Sequence, residues 1–156
     1  MALRNAILVA EDNQDDRLLL QRALTSARVL NPIFSVHDGE ETIAYLEGTG
    51  PYGDRAKFPQ PILLLLDLNM PKKSGLEVLA WLQSHPTDKL GIVVLTGATD
   101  LTLLNRAYAL GAHSFLVKPL VIQDFMNLMN AIKGICIKDA VEGIHVEFPN
   151  EAPSKE

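Results

Sequence analysis

Ile62-Leu63-Leu64-Leu65-Leu66-Asp67-Leu68-Asn69-Met70-Pro71-Lys72-Lys73-Ser74-Gly75 is five aliphatic residues running straight into a carboxylate, followed by a polar loop punctuated by Pro71 and Gly75. An apolar run of that length, bounded by turn residues, reads as a strand buried on both faces, as in a parallel sheet covered by helices. Ligands of such sheets sit beyond the carboxyl ends of the strands, and Asp67 stands at that end. A carboxylate closing a core strand is costly to bury alone, so the sequence predicts a cation or a cationic side chain beside it.

The flanking chain repeats the pattern. Ala6 to Ala10 is an apolar strand ended by Glu11-Asp12-Asn13-Gln14-Asp15-Asp16, and Leu18, Leu19 and Ala23 then recur at helical spacing to about Ala27. The acidic and amide residues before them suit a helix N-terminus. Asn31-Pro32 breaks the chain, Ile33 to Val36 is a strand, and Glu40 to Leu46 is a helix stopped by Gly48. Gly48 to Pro61 reads as an extended surface loop in which Tyr52, Arg55 and Phe58 leave room for a partner contact. Beyond the Asp67 strand, Gly75 to Ser84 is a helix with Trp81 as packing, Ile92 to Leu95 a strand, and Asp100 to Leu110 a helix capped by Gly111. Ser114 to Val117 is the fifth strand and Val121 to about Cys136 the last helix, on which Cys136 is an inert thiol. Strands alternating with helices in this way predict an α/β fold, a (βα)5 doubly wound parallel sheet with right-handed crossovers. Residues 1–137 form the domain; 138–156 form a tail whose alternating Ile144, Val146 and Phe148 suit an edge strand or a partner-packing segment.

Composition narrows the class. The chain has 156 residues, 47% of them hydrophobic, enough for one domain with a real core. A net charge of -5 without a basic block argues against direct nucleic-acid binding. The single cysteine excludes an internal disulfide and a multi-cysteine metal site. No apolar run approaches the about 18 residues of a membrane span, and the N-terminus lacks a signal-peptide pattern, so a cytoplasmic protein is expected. His37, His85, His113 and His145 have no metal-ligand spacing.

On the strand reading alone, the polar residues converge at one end of the sheet. Glu11 and Asp12 follow the first strand, Asp67 ends the third, Thr96 the fourth and Lys118 the fifth. Carboxylates packed together repel and need a counter-charge. A hard divalent cation with oxygen ligands supplies it, and Mg2+, which keeps several waters, suits two carboxylates and a backbone carbonyl. A carboxylate nucleophile, a metal, a lysine and a hydroxyl together match a phosphoryl-transfer site.

These residues resemble the receiver domain of two-component response regulators over about residues 5 to 136. The acidic pair Glu11-Asp12, the Asp67-to-Gly75 stretch, Thr96-Gly97 and Lys118-Pro119 occur in the family's order on the matching strand ends. The resemblance implies the flavodoxin-like strand order 2-1-3-4-5 and a cis Lys118-Pro119 bond. It implies that Asp67 accepts a phosphoryl group from a phosphohistidine of a sensor histidine kinase, so that the chain catalyses its own phosphorylation and autodephosphorylation. It further implies that Asp12, Asp67 and the Asn69 carbonyl bind Mg2+ with Glu11 acting largely through water. Thr96 and Lys118 would contact the phosphoryl oxygens, and Gly97 and Ala98 would control access to them. The stretch from Tyr45 to Arg55, with Leu66 to Lys73, is similar to single-domain regulators that partner bacterial phytochrome histidine kinases. Light sensing would belong to that partner.

Departures from the family pattern and competing classes complete the reading. Glu11 stands where Asp is common, and Phe115 where a switching Tyr is common, so switching at Thr96 and Phe115 would work through packing alone. Helices four and five carry more apolar positions than one core-facing stripe needs. Leu101, Leu104, Tyr108, Val121, Ile122 and Phe125 are therefore the expected partner face, and the resemblance implies a homodimer through helix four, strand five and helix five. A haloacid-dehalogenase-type phosphatase needs a second Asp where Asn69 stands, and a cap domain. A flavodoxin-type redox protein needs a phosphate cradle where this chain has an acidic run. A receiver that binds partners without phosphorylation is separated from a working one only by a phosphoryl adduct.

Overall fold

The computed structural model describes residues 5–87, 89–97, 101–132, 136–139 and 143–147. Its order is β1 (Ala6–Ala10), α1 (Gln14–Ser26), β2 (Ile33–Val36), α2 (Gly39–Glu47), a 3-10 turn at Gly50–Tyr52, β3 (Pro61–Asp67) and α3 (Gly75–Ser84). There follow β4 (Gly91–Thr96), α4 (Leu101–Ala109), β5 (Ser114–Val117), α5 (Ile122–Ala131), β6 (Cys136–Asp139) and β7 (Ile144–Glu147). The first five strands form one sheet in the order β2-β1-β3-β4-β5, with every pairing parallel. The expected fold and strand order are both present.

Alternation along the strands builds two cores. Leu8, Leu64, Leu66 and Val94 face one side, where Tyr45 and Leu46 of α2, Val78 and Leu79 of α3, and Leu104 of α4 cover them. Ile7, Val9, Leu63, Leu65 and Leu95 face the other, against Leu20 and Leu24 of α1 and Phe125 and Met129 of α5. Every residue of β3 is buried, as its continuous apolar run requires. Asn13, Asp38 and Ser74 cap α1, α2 and α3 by accepting backbone N–H groups, and Ser74 with Glu77 closes a capping box. Gly48 ends α2 in the left-handed conformation at φ 73°.

Three sequence expectations need correction. Gly48 to Pro61 is the surface loop expected, with most of residues 49–60 exposed, but the three side chains left for a partner turn inward. Tyr52 and Phe58 pack onto the core, and Arg55 donates to Leu46 O at 2.9 Å and Phe58 O at 3.1 Å beneath the Tyr45 ring. Tyr45, Tyr52, Phe58 and Phe34 form one aromatic cluster, and its buried area holds the segment down.

The last helix ends at Ala131, and Ile132 is already extended at ψ 124°. From there the sequence Ile-Lys-Gly-Ile-Cys-Ile exchanges helical spacing for β-branched alternation. Cys136 therefore opens a strand rather than closing a helix.

The tail does not extend the main sheet. β6 and β7 pair antiparallel as a separate sheet, straddling the 137/138 division, and Val146 is buried in the core of its own chain. Phe148 and Asp100 lie outside the described residues.

Asn31 locks β7 at the amino-terminal end of the sheet. Its side chain donates to Asn5 O at 2.8 Å and Val146 O at 2.9 Å, and accepts Val146 N–H at 2.8 Å. Leu30 N–H and Ile144 O meet at 2.7 Å beside it. With Asn31 only 2% exposed, Asn31→Ala strands buried backbone groups. It should lower unfolding free energy by about 2 kcal/mol in urea titration, with the fold retained.

Candidate functional site

Parallel pairing brings the ends of β1, β3, β4 and β5 together, with Asp67 in register with Leu95 and Thr96 with Val117. Glu11 leaves β1 with its N–H on Val36 O at 3.1 Å, so its side chain turns in beneath the loops and is 1% exposed. Asp67 is buried at 4% exposure, while Asp12 is exposed. Asp67 Oδ1 accepts the Asn69 N–H at 3.0 Å, which fixes the carboxylate plane. Gly75 permits the loop to close on the strand end: its N–H donates to Leu68 O at 3.0 Å, and a Cβ there would stand 2.6 Å from Asp67 O.

Lys118 answers the buried acids. Its Nζ lies 3.1 Å from Glu11 Oε1, 3.1 Å from Asp16 Oδ2 and 3.5 Å from Asp67 Oδ2. Its backbone N–H donates to Thr96 O at 2.7 Å, tying β4 to β5, and the Lys118-Pro119 bond is cis. Burial alone would lower the ammonium pKa, but the facing Glu11, Asp67 and Asp16 carboxylates outweigh it and raise it. Burial, reinforced by Asp67, pushes the Glu11 carboxyl up to about 7. One lysine does not neutralise this set.

The donor set fits a hard divalent cation. Glu11, Asp12 and Asp67 each bring a carboxylate oxygen to within 4.8 Å of one another. An octahedral oxygen shell at about 2.1 Å puts opposite ligands about 4.2 Å apart, so a small inward movement closes the three on one ion. Thr96, at the end of β4, is buried, and a Cβ on the following Gly97 would meet nothing within 4 Å. Ala98 lies outside the described residues.

The expected partner face divides. Leu101, Tyr108 and Val121 are exposed, whereas Leu104 and Phe125 are 4% and 0% exposed and belong to the two cores. The apolar excess on α4 and α5 misled because both helices spend their innermost residues on the sheet, so those two leave the face. Ile122 and Phe115 are partly buried against the cores.

Sequence reading missed Asp16 as a lysine partner and Arg17. Arg17 donates to Glu11 O at 2.8 Å and Asp12 O at 3.1 Å, holding the acidic turn shut. The one signal in the sequence is that Asp16 falls in the first turn of α1, at the same end of the sheet as Glu11.

The family model for the response regulator receiver domain matches residues 7–132. Response regulator Rcp1 of Synechocystis sp. is 32% identical over 133 residues, 85% of this chain and 88% of Rcp1. A manganese-bound structure of Rcp1 superposes with TM-score 0.66 at 31% identity, covering 83% of this chain and 92% of that one. The bacteriophytochrome response regulator AtBRR superposes with TM-score 0.69 at 36% identity, over 81% of this chain and 90% of that one. The phosphorylated cyanobacterial phytochrome response regulator RcpA does so with TM-score 0.67 at 36% identity, over 80% and 88%.

The raised Glu11 carboxyl gives the site a pH signature. Between 4.5 and about 7 the folded chain without a cation holds a proton that the unfolded chain has released. That contribution to stability is full below 4.5 and is lost as pH rises through about 7. A divalent cation competes with the proton, so its stabilising effect should grow with pH across the same window. Thermal melts with and without Mg2+ should show this widening gap in wild type and a flatter one in Glu11→Gln.

Proposed function

The chain belongs to the response regulator receiver domain family, and from that premise we propose that it is a phosphoacceptor which takes a phosphoryl group on Asp67 from a histidine kinase. The observation that carries this reading is the convergence on Lys118 of Glu11, Asp16 and Asp67 from three separate elements, beside a cluster able to hold a cation. Structural ion pairs rarely gather a surplus of buried acid around one lysine, because the excess charge costs stability. A site awaiting a cation and an anionic phosphoryl group has a use for it.

In the proposed transfer, an Asp67 carboxylate oxygen forms a bond to phosphorus as the phosphorus–nitrogen bond of the kinase phosphohistidine breaks, and the electron pair stays on the imidazole. Asp12, Asp67 and the Asn69 carbonyl would hold Mg2+, with Glu11 contributing largely through water. The ion supplies charge neutralisation for the phosphoryl oxygens. Lys118 pairs with one phosphoryl oxygen and the Thr96 hydroxyl donates to another, while Gly97 leaves room for the group. Leu19 and Val117 are exposed beside Lys118 and, with Pro119 and Leu120, line an apolar pocket next to the site. That rim suits contact with the donor kinase. Likeness to Rcp1, AtBRR and RcpA supports a phytochrome-type kinase as that donor.

The response would pass through Thr96 and Phe115. Phe115 packs against the core that contains Leu104 and Ala107 of α4. A shift of Thr96 toward a phosphoryl oxygen would repack Phe115 and bias the face of Leu101, Tyr108 and Val121. Homodimerisation and downstream contacts are assigned to this face.

Incubation with Mg2+ and acetyl phosphate should give one phosphoryl adduct by intact mass, dependent on Mg2+ and absent in Asp67→Asn. No adduct, under conditions that label a control receiver, would leave a phosphorylation-independent module. The dimer face has its own test: Leu101→Arg with Val121→Arg should shift the sedimentation of the phosphorylated chain toward monomer and leave its adduct yield unchanged.

A further inference from the structure

Residues 49–60 and the loop that follows Asp67 are joined through the turn between β2 and α2. Tyr52 donates to Glu41 Oε2 at 2.6 Å, and the other oxygen of that carboxylate accepts the His37 N–H at 2.7 Å. Glu41 thereby ties the 3-10 turn to the start of α2. Asp38, one turn upstream, accepts the Glu41 N–H through Oδ1 at 2.7 Å and faces Lys72 Nζ through Oδ2 at 3.8 Å. Next to it the backbones touch: a Cβ on Gly39 would collide with the Lys73 carbonyl. Lys72 itself has φ 65°, a conformation that a residue with a Cβ keeps only where its surroundings over-determine it.

The same loop is anchored from inside. Leu68 and Met70 are buried in the core cluster that holds Tyr45, and Tyr52 and Phe58 pack against it. Tyr45 Oη donates to Pro59 O at 2.9 Å, closing residues 49–60 onto α2. Burial first, and then Glu41, raise the Tyr52 phenol pKa, so its hydroxyl stays a donor throughout the neutral range. The loop held between these contacts carries Asn69, whose N–H fixes Asp67 Oδ1.

We propose that residues 49–60, acting through Glu41, Asp38 and Gly39, brace the loop from Leu68 to Ser74 in the conformation that sets Asn69 against Asp67. Tyr52, Glu41 and Gly39 are thus positioning residues for cation binding and phosphoryl transfer. The inference rests on the reading of Asp67 as phosphoacceptor and deepens it. It places control of that site in a segment that touches none of the reacting atoms. Ser74 and Glu77 hold the far end of the loop through the α3 capping box, so the Gly39 and Lys72 contacts govern its middle.

Titration calorimetry with Mg2+ alone, and the rate of phosphoryl incorporation from acetyl phosphate, test this on the full chain. Gly39→Ala should weaken Mg2+ binding about tenfold, the scale expected when the support behind a metal ligand is removed. Tyr52→Phe, which keeps the ring and drops the hydroxyl, should weaken it about threefold, the scale of one hydrogen bond. Both should slow phosphoryl incorporation and move the amide resonances of Asn69 to Lys73. Asn31→Ala, which loosens the opposite end of the sheet, serves as the stability control and should keep wild-type Mg2+ affinity. Wild-type affinity with unmoved resonances in both Gly39→Ala and Tyr52→Phe overturns the proposal, as does an equal weakening in Asn31→Ala. If wild type binds Mg2+ but takes no phosphoryl group, the phosphoacceptor reading fails, and the Mg2+ titration still decides the brace.

Discussion

Lys118 meets Glu11, Asp16 and Asp67 within 3.5 Å, and the arrangement of the sheet follows from what that contact demands. Two of the acids are buried at strand ends, where an unpaired carboxylate would be strongly unfavourable. In the observed order, Lys118 at the end of β5 reaches across the end of β4 to the ends of β3 and β1. The ammonium therefore ties the ends of β1, β3 and β5 and the first turn of α1 into one electrostatic unit. It also leaves that unit short of positive charge. Folding buries two acids beside one ammonium, and burial first, then the neighbouring Asp67, raises the Glu11 carboxyl.

The residues at that centre were legible in sequence because chain topology alone sends them there. Asp67 after a run of apolar residues, Thr96 after another and Lys118 after a third need only a parallel sheet to converge. Asp16 was harder to read. Its role depends on the turn by which α1 leaves β1, and on Arg17 fastening that turn to the Glu11 and Asp12 carbonyls. Helical periodicity likewise could not separate Leu104 and Phe125 from Leu101 and Val121. All four are apolar and lie on α4 or at the start of α5, and only the sheet decides which of them is covered. The hairpin of β6 and β7 was hidden for a different reason. Its anchor is the Asn31 side chain, bonded to a backbone 115 residues away, and an amide before a proline ordinarily reads as a turn.

The two ends of the sheet are finished in opposite ways. At the amino-terminal end the anchoring partners are neutral: Asn31 satisfies Asn5 and Val146, and Val146 closes the core. These hydrogen bonds between uncharged groups lose little to salt or pH. At the carboxyl end the partners are charged, unequal in number and partly open above Gly97. Binding a cation or an anion can rearrange that end at low cost because its charges are not yet balanced.

That imbalance explains why the loop after Asp67 needs support from outside itself. Asn69 N–H meets Asp67 Oδ1 at 3.0 Å, yet neighbouring carboxylates repel and would push the strand ends apart. The loop has few means of resisting: its lysines are exposed, and Lys72 already adopts an unfavourable backbone conformation. The resistance has to come from contacts outside the acidic cluster: apolar burial and a close backbone approach, together with a hydrogen bond to Glu41 and an ion pair to Asp38. Leu68 and Met70 in the core, Gly39 against the Lys73 carbonyl, and Tyr52 on Glu41 are contacts of that kind, or end in one. The proposed brace thus reaches the loop after Asp67 from the β2–α2 turn, whereas Lys118 reaches Asp67 from the end of β5.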